Sequence, residues 1–291
     1  MKRLFNSPGR EQAEQQALMN RLSARSERAI GPILVQTYRD AADMIEAMGT
    51  EAQQVAVANA SKKLEKALGA TIQVSARVFA KRLQGQIENL YPSKKKSCPI
   101  HSHFPDVFKA QNIQAEAEAQ QRQALDNRLM FAPTFEGQLQ AFAQLETAKR
   151  IVQINDTTKA QIRSMVMSGM EQGDTLTDIA KTIRTTSSAI GRHRAAVIAR
   201  TEVHTASNAG MQTEAEGNEF EMRKSWSAVN DSRTRGKDSG DRFDHTRVDK
   251  SPIDMAASFD VSGEQLRYPG DPRGSAGNVI NCRCSVLHYV V

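Results

Sequence analysis

Two cysteines and a histidine in the last fifth of the chain could hold a metal ion. Cys282 and Cys284 are separated by one residue, so in an extended strand both side chains point to the same face. Two thiolates on one face could bind a single zinc ion, and His245 could supply a third ligand. A C-x-C pair cannot form a relaxed disulfide with itself. The alternative is that both cysteines are small buried residues of a C-terminal strand.

The fourth ligand of such a site stays open at this point. Asp231, a water molecule, or the segment that contains Cys98, His101 and His103 could complete the coordination. The chain has three cysteines in all, and no apolar stretch follows the basic pair at its start. We therefore expect reduced thiols in a cytoplasmic setting, no signal peptide, and a structural zinc as the one candidate cofactor.

A second group of polar residues lies on a predicted helix near position 200. Arg200 and His204 are four residues apart, as are Glu202 and Ala206, so each pair shares a helix face. These side chains could satisfy one another in a structural polar network, or they could act in catalysis.

A third group surrounds the single tryptophan. Trp226 lies in a strand-like segment and is predicted to be in the core. Asp231, Arg233 and Arg235 alternate, so an extended segment would place a carboxylate between two guanidinium groups. That arrangement could bind an anion or form an ion-pair network.

Several enzyme classes find no support in the sequence. The chain has no Walker A loop, no G-x-G-x-x-G fingerprint and no G-x-S-x-G elbow. A nuclease would need a compact set of carboxylates. The acidic residues available for one lie in a Gly/Ser-rich region and favour a solvated loop: Asp238, Asp241, Asp244, Asp249 and Asp254.

The elements that must position these residues begin with a long helical region. From residue 11 to about residue 90 the chain is rich in Ala, Gln, Glu, Arg and Lys, and its apolar residues recur at helical spacing. We expect Gly31-Pro32 to interrupt the first helix, Gly49-Thr50 to end the next, and Gly69 to provide another stop.

Further helices are predicted before the C-terminal region. Residues 91–106 contain three prolines and a lysine triplet, which indicates an exposed connector. The helical pattern resumes at 107–130, 134–154 and 157–170, with Asp156 as an N-cap. Gly173-Asp174-Thr175 is predicted to form a turn, and Ser187 or Ser188 to open a long helix.

After Glu219 the pattern changes to short β-type segments at 221–228 and 279–291, separated by turn residues. The predicted fold class is α+β: a long, mostly helical N-terminal body followed by a small C-terminal unit of short strands and long loops. The predicted regions are a helical partner-binding region (1–90), the connector (91–106), a helical region (107–181) and a C-terminal domain (182–291).

Charge is unevenly distributed along the 291 residues. Residues 1–96 contain 16 Lys and Arg against 9 Asp and Glu, whereas residues 201–291 contain 11 against 14. A basic first third could lie near nucleic acid, which makes a plain DNA-binding module one hypothesis. No stretch reaches the roughly 20 apolar residues of a membrane span.

The ordered C-terminal motifs resemble those of the Mu F-like head morphogenesis proteins of tailed bacteriophages. The resemblance covers about the last 110 residues and includes Lys224. The residues that carry it are Arg200, Thr201, Glu202, Asn208, Trp226, Asp231, Arg233, Arg235, His245, Pro269, Gly270, Asp271, Asn281, Cys282, Arg283 and Cys284.

This resemblance implies a minor head protein without enzymatic activity. Such a protein is a virion component, assembled in the host cytoplasm, that contacts the portal protein or the major capsid protein. It acts in head morphogenesis and accompanies DNA packaging or ejection. The alternative is an enzyme that acts on a nucleotide or nucleic acid, either similar to ADP-ribosyltransferases or a nuclease. Its catalytic residues would be Arg200, Glu202, Asp231 and His245.

Overall fold

Long helices make up most of the protein. The computed structural model describes residues 2–5, 7–49, 53–91, 135–236 and 241–291. Four long helices lie in these ranges: α1 (Pro8–Met48), α2 (Gln53–Leu90), α3 (Phe135–Gln172) and α4 (Leu176–Glu216). Across the described ranges, no helix combines the length and apolar character that a membrane crossing requires. The predicted connector after Tyr91 and the predicted helix at 107–130 lie outside the described residues.

The strands are short, and all but the first lie in the last quarter of the chain. They are β1 (Lys2–Arg3), β2 (Met222–Ser227), β3 (Ile253–Asp254), β4 (Phe259–Val261), β5 (Glu264–Leu266) and β6 (Ser285–Val290), with the short helix α5 (Ala276–Val279) before β6. A long helical body followed by a region of short antiparallel strands confirms the predicted α+β class.

Helix α1 continues through the position where an interruption was predicted. Pro32 lies inside this helix. A proline in a helix interior costs about 3 kcal/mol, because it removes one backbone hydrogen bond and crowds the preceding turn. Ile30 and Leu34 on either side are both fully buried. Each contributes roughly 1.5–3 kcal/mol of burial, so tertiary packing outweighs the local penalty. Gly69 likewise lies within α2 and does not end it.

The N-caps predicted at Asp156 and at Ser187 or Ser188 are wrong, because α3 and α4 run through these positions. Near these positions, threonine and serine hydroxyl groups donate hydrogen bonds to backbone carbonyls three or four residues earlier in the same helix. Thr158 Oγ1 donates to the carbonyl of residue 154 at 2.7 Å, and Ser187 Oγ donates to the carbonyl of residue 184 at 2.7 Å. Side chains of this kind can cap a helix or bond within it, and the sequence alone does not distinguish the two.

The turn predicted at Gly173-Asp174-Thr175 is confirmed between α3 and α4. Gly173 has a φ of 76°, a conformation that favours glycine. Thr175 and Asp178 then form a capping box. The N–H of Asp178 donates to Thr175 Oγ1 at 3.2 Å, and the N–H of Thr175 donates to Asp178 Oδ2 at 3.3 Å.

The chain forms two compact units, each assembled from separate segments. The helical unit comprises residues 21–71 and 146–200, and the sheet unit comprises residues 1–20, 72–145 and 201–291. The core of the helical unit is apolar, and its largest cluster contains Tyr38, Ala41, Ala42, Ile45, Ala56, Val57, Ile162, Val166, Ile179, Ala180 and Ile183.

A mixed sheet-and-helix core forms in the sheet unit. Its main sheet is antiparallel with the strand order β1-β6-β2-β3, and β4 and β5 form a separate hairpin. Trp226 on β2 is opposite Val286 on β6. The predicted strand at 221–228 is therefore confirmed. The second predicted strand begins only at Ser285, because Val279 ends α5 and residues 280–284 form a turn and an irregular segment.

Helices α2 and α4 approach each other closely within the sheet unit. A β-carbon at Gly210 would lie 2.2 Å from the carbonyl oxygen of Ala76. Only glycine allows this approach, which brings the last turns of α4 into the unit that carries the predicted site residues.

Candidate metal centre

His245, Cys282 and Cys284 come together in the sheet unit. Their ligand atoms all lie within 4.8 Å of one another. His245 Nδ1 is 3.7 Å from Cys282 Sγ and 3.5 Å from Cys284 Sγ. All three residues are at most 3% exposed. The structure thus brings together the three residues that the sequence predicted as candidate metal ligands.

The backbone between α5 and β6 sets the direction of the two thiols. Asn281 adopts a φ of 63°, which turns the chain sharply after α5. The N–H of Cys282 then donates to the carbonyl of Val279 at 3.2 Å, and Cys284 immediately precedes β6. Both sulfurs join the apolar cluster formed by Trp226, Ala228, Val248, Phe259, Val261 and Leu266.

Asn278 orients the imidazole of His245. Its Oδ1 is 3.0 Å from His245 Nε2, and its Nδ2 donates to the carbonyl of Val261 at 3.2 Å. Because this carbonyl fixes the amide orientation, Oδ1 can only accept, and His245 Nε2 carries the proton. In the neutral imidazole, Nδ1 is therefore the nitrogen with a free lone pair, and it faces the two sulfurs. The edge of Trp226 packs against the same ring, with centroids 5.6 Å apart.

The two thiols have different proton affinities. The hydrogen bond from Cys284 lowers the pKa of Cys282 well below its usual value, and His245 adds to this effect. The same interaction, together with burial, raises the pKa of Cys284. A bound metal ion would displace the protons of both thiols.

Asp231 takes part in a different set of contacts. It forms an ion pair with Arg283 and accepts a hydrogen bond from the backbone N–H of Arg233 at 3.0 Å. The hydrogen bond from Arg283 is the main reason that the pKa of Asp231 falls to about 2. Asp231 lies outside the cluster of His245 and the cysteines, so it does not provide the fourth ligand. Cys98, His101 and His103 lie outside the described residues.

The carboxylate flanked by Arg233 and Arg235 does not form. The segment folds into turns instead of a strand, so alternate residues no longer share a face. Arg235 donates instead to the carbonyl of Ile280. Arg235 contacts the segment between α5 and β6, and Arg283 in that segment contacts Asp231. These two basic residues therefore hold the loops together.

Helix α4 presents a row of polar side chains that fasten the C-terminal loops. Thr201 Oγ1 accepts from the N–H of Asn281 at 3.0 Å, and Thr205 Oγ1 donates to the carbonyl of Gly270 at 2.9 Å. Asn208 Nδ2 lies 3.0 Å from the carbonyl of Pro269, and Asn208 is fully buried. Thr201, Thr205 and Asn208 therefore have a structural role. They attach α4 to the Pro-Gly-Asp segment and to the segment that begins at Asn281.

Asp271 organises the loop that follows β5. It is 2% exposed, accepts from the N–H of Arg267 at 2.8 Å and pairs with Arg273 at 2.7 Å. Gly270 before it has a φ of 79°, and a β-carbon there would lie 3.1 Å from Thr205 Oγ1. The Pro-Gly-Asp motif is therefore a packed corner and not an open binding loop.

The enzyme hypothesis requires Arg200, Glu202, Asp231 and His245 to meet in one site. His245 contacts the cysteines, and Asp231 contacts Arg283. Glu202 is 3% exposed, whereas Arg200 is half-buried. His245 and Asp231 therefore belong to separate sets of contacts.

Sequence reasoning missed two buried groups that support the site. Asn278 belongs to no motif. The only signal in the sequence is its position three residues before Asn281, which begins the Asn-Cys-Arg-Cys motif. Lys224 matched the resemblance, but its role was not predicted. Its Nζ donates to the carbonyl of Arg267 at 2.8 Å, and burial lowers its pKa to about 8.

Comparison with known proteins agrees with the sequence motifs. Residues 160–287 match the family model described as Phage Mu protein F like protein. The match covers the end of α3, all of α4, strands β2 to β5 and the first half of β6, and it does not include β1. No curated protein and no solved structure matches the chain.

Proposed function

We propose that this protein is a minor head protein of a tailed bacteriophage, located in the virion and required for head morphogenesis. The observation that carries the proposal is the family match over residues 160–287, which contains every motif from Arg200 to Cys284. Its partners are the portal protein or the major capsid protein, and the assembly takes place in the host cytoplasm.

The contacts of the motif residues support a structural role over a catalytic one. Asn208, Thr205 and Asp271 are at most 2% exposed. Asn208 and Thr205 form hydrogen bonds that join separate segments of the sheet unit, and Asp271 fixes its own loop. Catalytic groups must reach a substrate, whereas these groups are already satisfied by the fold. The motif residues therefore stabilise a rigid module, and such a module can be incorporated into a large assembly.

The N-terminal region supplies the surface that meets the head. The first 96 residues carry an excess of basic residues, which suits proximity to packaged DNA or to an acidic face of the portal. In this proposal the helices of the first 90 residues select the partner, and the protein stays with the DNA during packaging or ejection.

A complementation experiment tests this function. Phage in which the gene for this chain is interrupted by a stop codon would be grown in cells that supply the wild-type chain, Asn208→Ala or Thr182→Ala, which changes an exposed residue of the same helix outside the partner-selecting region. We expect DNA-filled infectious heads with the wild type and with Thr182→Ala, and a reduced yield with Asn208→Ala. Normal heads in the complete absence of the chain would overturn the proposal.

A further inference from the structure

We propose that His245, Cys282 and Cys284 bind one structural zinc ion, with His245 Nδ1 and the two Sγ atoms as ligands. The proposal is independent of the virion role, because it rests on the geometry of the buried cluster alone. It goes beyond the family match, which names no metal.

The two sulfur–nitrogen distances are those of a tetrahedral zinc site. Zn–S bonds of about 2.3 Å and Zn–N bonds of about 2.0–2.1 Å at a tetrahedral angle place sulfur and nitrogen about 3.6 Å apart. The two sulfurs lie 3.7 Å and 3.5 Å from His245 Nδ1, and all three atoms lie within 4.8 Å of one another. The two sulfur–nitrogen distances therefore already have the values that one bound ion would require.

The hydrogen bonds around the histidine are those of a metal ligand. Metal-bound histidines almost always donate their second ring N–H to an acceptor, which fixes the tautomer and the ring orientation. Here Asn278 Oδ1 accepts from His245 Nε2, and the carbonyl of Val261 fixes Asn278 in turn. The lone pair of Nδ1 is thereby aimed at the two thiols.

The nearly equal distances from Nδ1 to the two sulfurs favour a shared metal ion over a single hydrogen bond. Nδ1 has one lone pair and can accept one good hydrogen bond, yet both sulfurs lie at nearly the same distance from it. A disulfide between Cys282 and Cys284 would be strained, because a single residue separates them. A zinc ion satisfies the nitrogen and both sulfurs together.

The charge balance also fits a buried site. On binding, each thiol loses its proton to solvent, and two thiolates with a neutral imidazole and Zn²⁺ give a group with no net charge. Such a group can lie in an apolar core at a low desolvation cost. Trp226, Phe259 and Val261 form part of that core. Among the described residues no further His, Cys, Asp or Glu joins the three, so the structure assigns three of the four ligands.

Zinc would tie the turn-rich segment around His245 to the strand that ends the sheet. The three ligands are contributed by positions 37 and 39 residues apart. The described part of residues 228–252 contains no helix or strand, and turns and side-chain hydrogen bonds hold it in place. A metal crosslink would add a restraint between this segment and the sheet.

The test is the zinc content of the full chain, purified without a histidine tag. Wild type and His193→Ala, which changes an exposed histidine outside the cluster, should each retain close to one zinc per chain. Cys282→Ser and Cys284→Ser should each retain less than about 0.2. Less than about 0.2 zinc in the wild type, with no uptake when one equivalent is added, would overturn the proposal. Equal zinc content in all four proteins would also overturn it.

A spectroscopic measurement on the wild type keeps the test independent of variant folding. X-ray absorption at the zinc edge should show two sulfur ligands at about 2.3 Å and nitrogen or oxygen ligands at about 2.0–2.1 Å. A shell without sulfur would contradict the assignment, because it would place the ion on other residues.

Discussion

Asn208 on helix α4 accepts a hydrogen bond from the backbone N–H of Val286 on strand β6, at 3.1 Å. Its amide nitrogen also faces the carbonyls of Pro269 and Cys284, at 3.0 Å and 3.2 Å. One fully buried side chain therefore joins the helix to the Pro-Gly-Asp corner and to the strand that follows the metal cluster. This relationship explains why widely spaced motifs form one module.

Replacement of Asn208 by alanine should destabilise the protein strongly. The change leaves a buried N–H and two buried carbonyls without their partner, at a cost of about 3 kcal/mol or more. Denaturant unfolding measures the loss. Asn59→Ala, at an exposed position of helix α2, serves as the control and should change stability by less than about 0.5 kcal/mol. Equal effects of the two changes would contradict the role of Asn208.

The two helical glycines Gly210 and Gly85 should respond in opposite directions to alanine. A β-carbon at Gly210 would lie 2.2 Å from the carbonyl oxygen of Ala76, so Gly210→Ala must separate two helices. At Gly85 nothing lies within 4 Å, and Gly85→Ala should stabilise the helix by roughly 0.5–1 kcal/mol. Thermal unfolding of both variants measures the difference. A Gly210→Ala protein as stable as wild type would show that the helices are not in close contact there.

Stability should fall as pH rises from about 4.5 to about 7. Burial, with the nearby charge of Glu88, raises the pKa of Glu214 from its usual 4.5 to about 7. The folded state then binds more protons than the unfolded state in this range, so its stability decreases with increasing pH and the loss is complete above the folded pKa.

Glu214→Gln should remove this part of the pH dependence, and Glu65→Gln at an exposed position should leave it unchanged. Denaturant unfolding at a series of pH values between 4 and 8 compares the three proteins. The same slope for wild type and Glu214→Gln would show that another group is responsible.

Removal of zinc should lower the thermal stability of the wild type. An ion that binds only the folded state stabilises it, so a strong chelator should reduce the melting temperature by about 5 °C or more. Cys284→Ser should already melt at the lower temperature and should not respond to the chelator. A wild-type melting temperature that the chelator leaves unchanged would contradict a structural metal.

The sequence predicted the fold class and the candidate grouping of His245 with the two cysteines, because residue types and their spacing indicate both. Alternate cysteines and a histidine are visible in the sequence, and so is the change from helical spacing to short strands after Glu219. The positions of Asn278 and Lys224 were not predictable in this way. Their partners, Val261 and Arg267, are brought near only when the strands assemble.

The errors at helix boundaries have the same origin. Pro32 and Asp156 are signals of interruption when they are judged locally. In the folded protein, buried residues beside Pro32 hold the helix together, and the hydroxyl of Thr158 bonds to its own helix. Tertiary packing determines whether such a residue ends a helix or lies within one. The residues that supply this packing are distant in the sequence, so a local pattern does not show them.

The measurement that tests the central claim most directly is quantitative mass spectrometry of purified full and emptied phage particles, with the copy number of this chain referenced to the portal subunit. A minor head protein predicts a small, fixed number of copies in full heads. A lower number in emptied heads would add ejection with the DNA. Absence of the chain from full heads, emptied heads and assembly precursors alike would contradict the account.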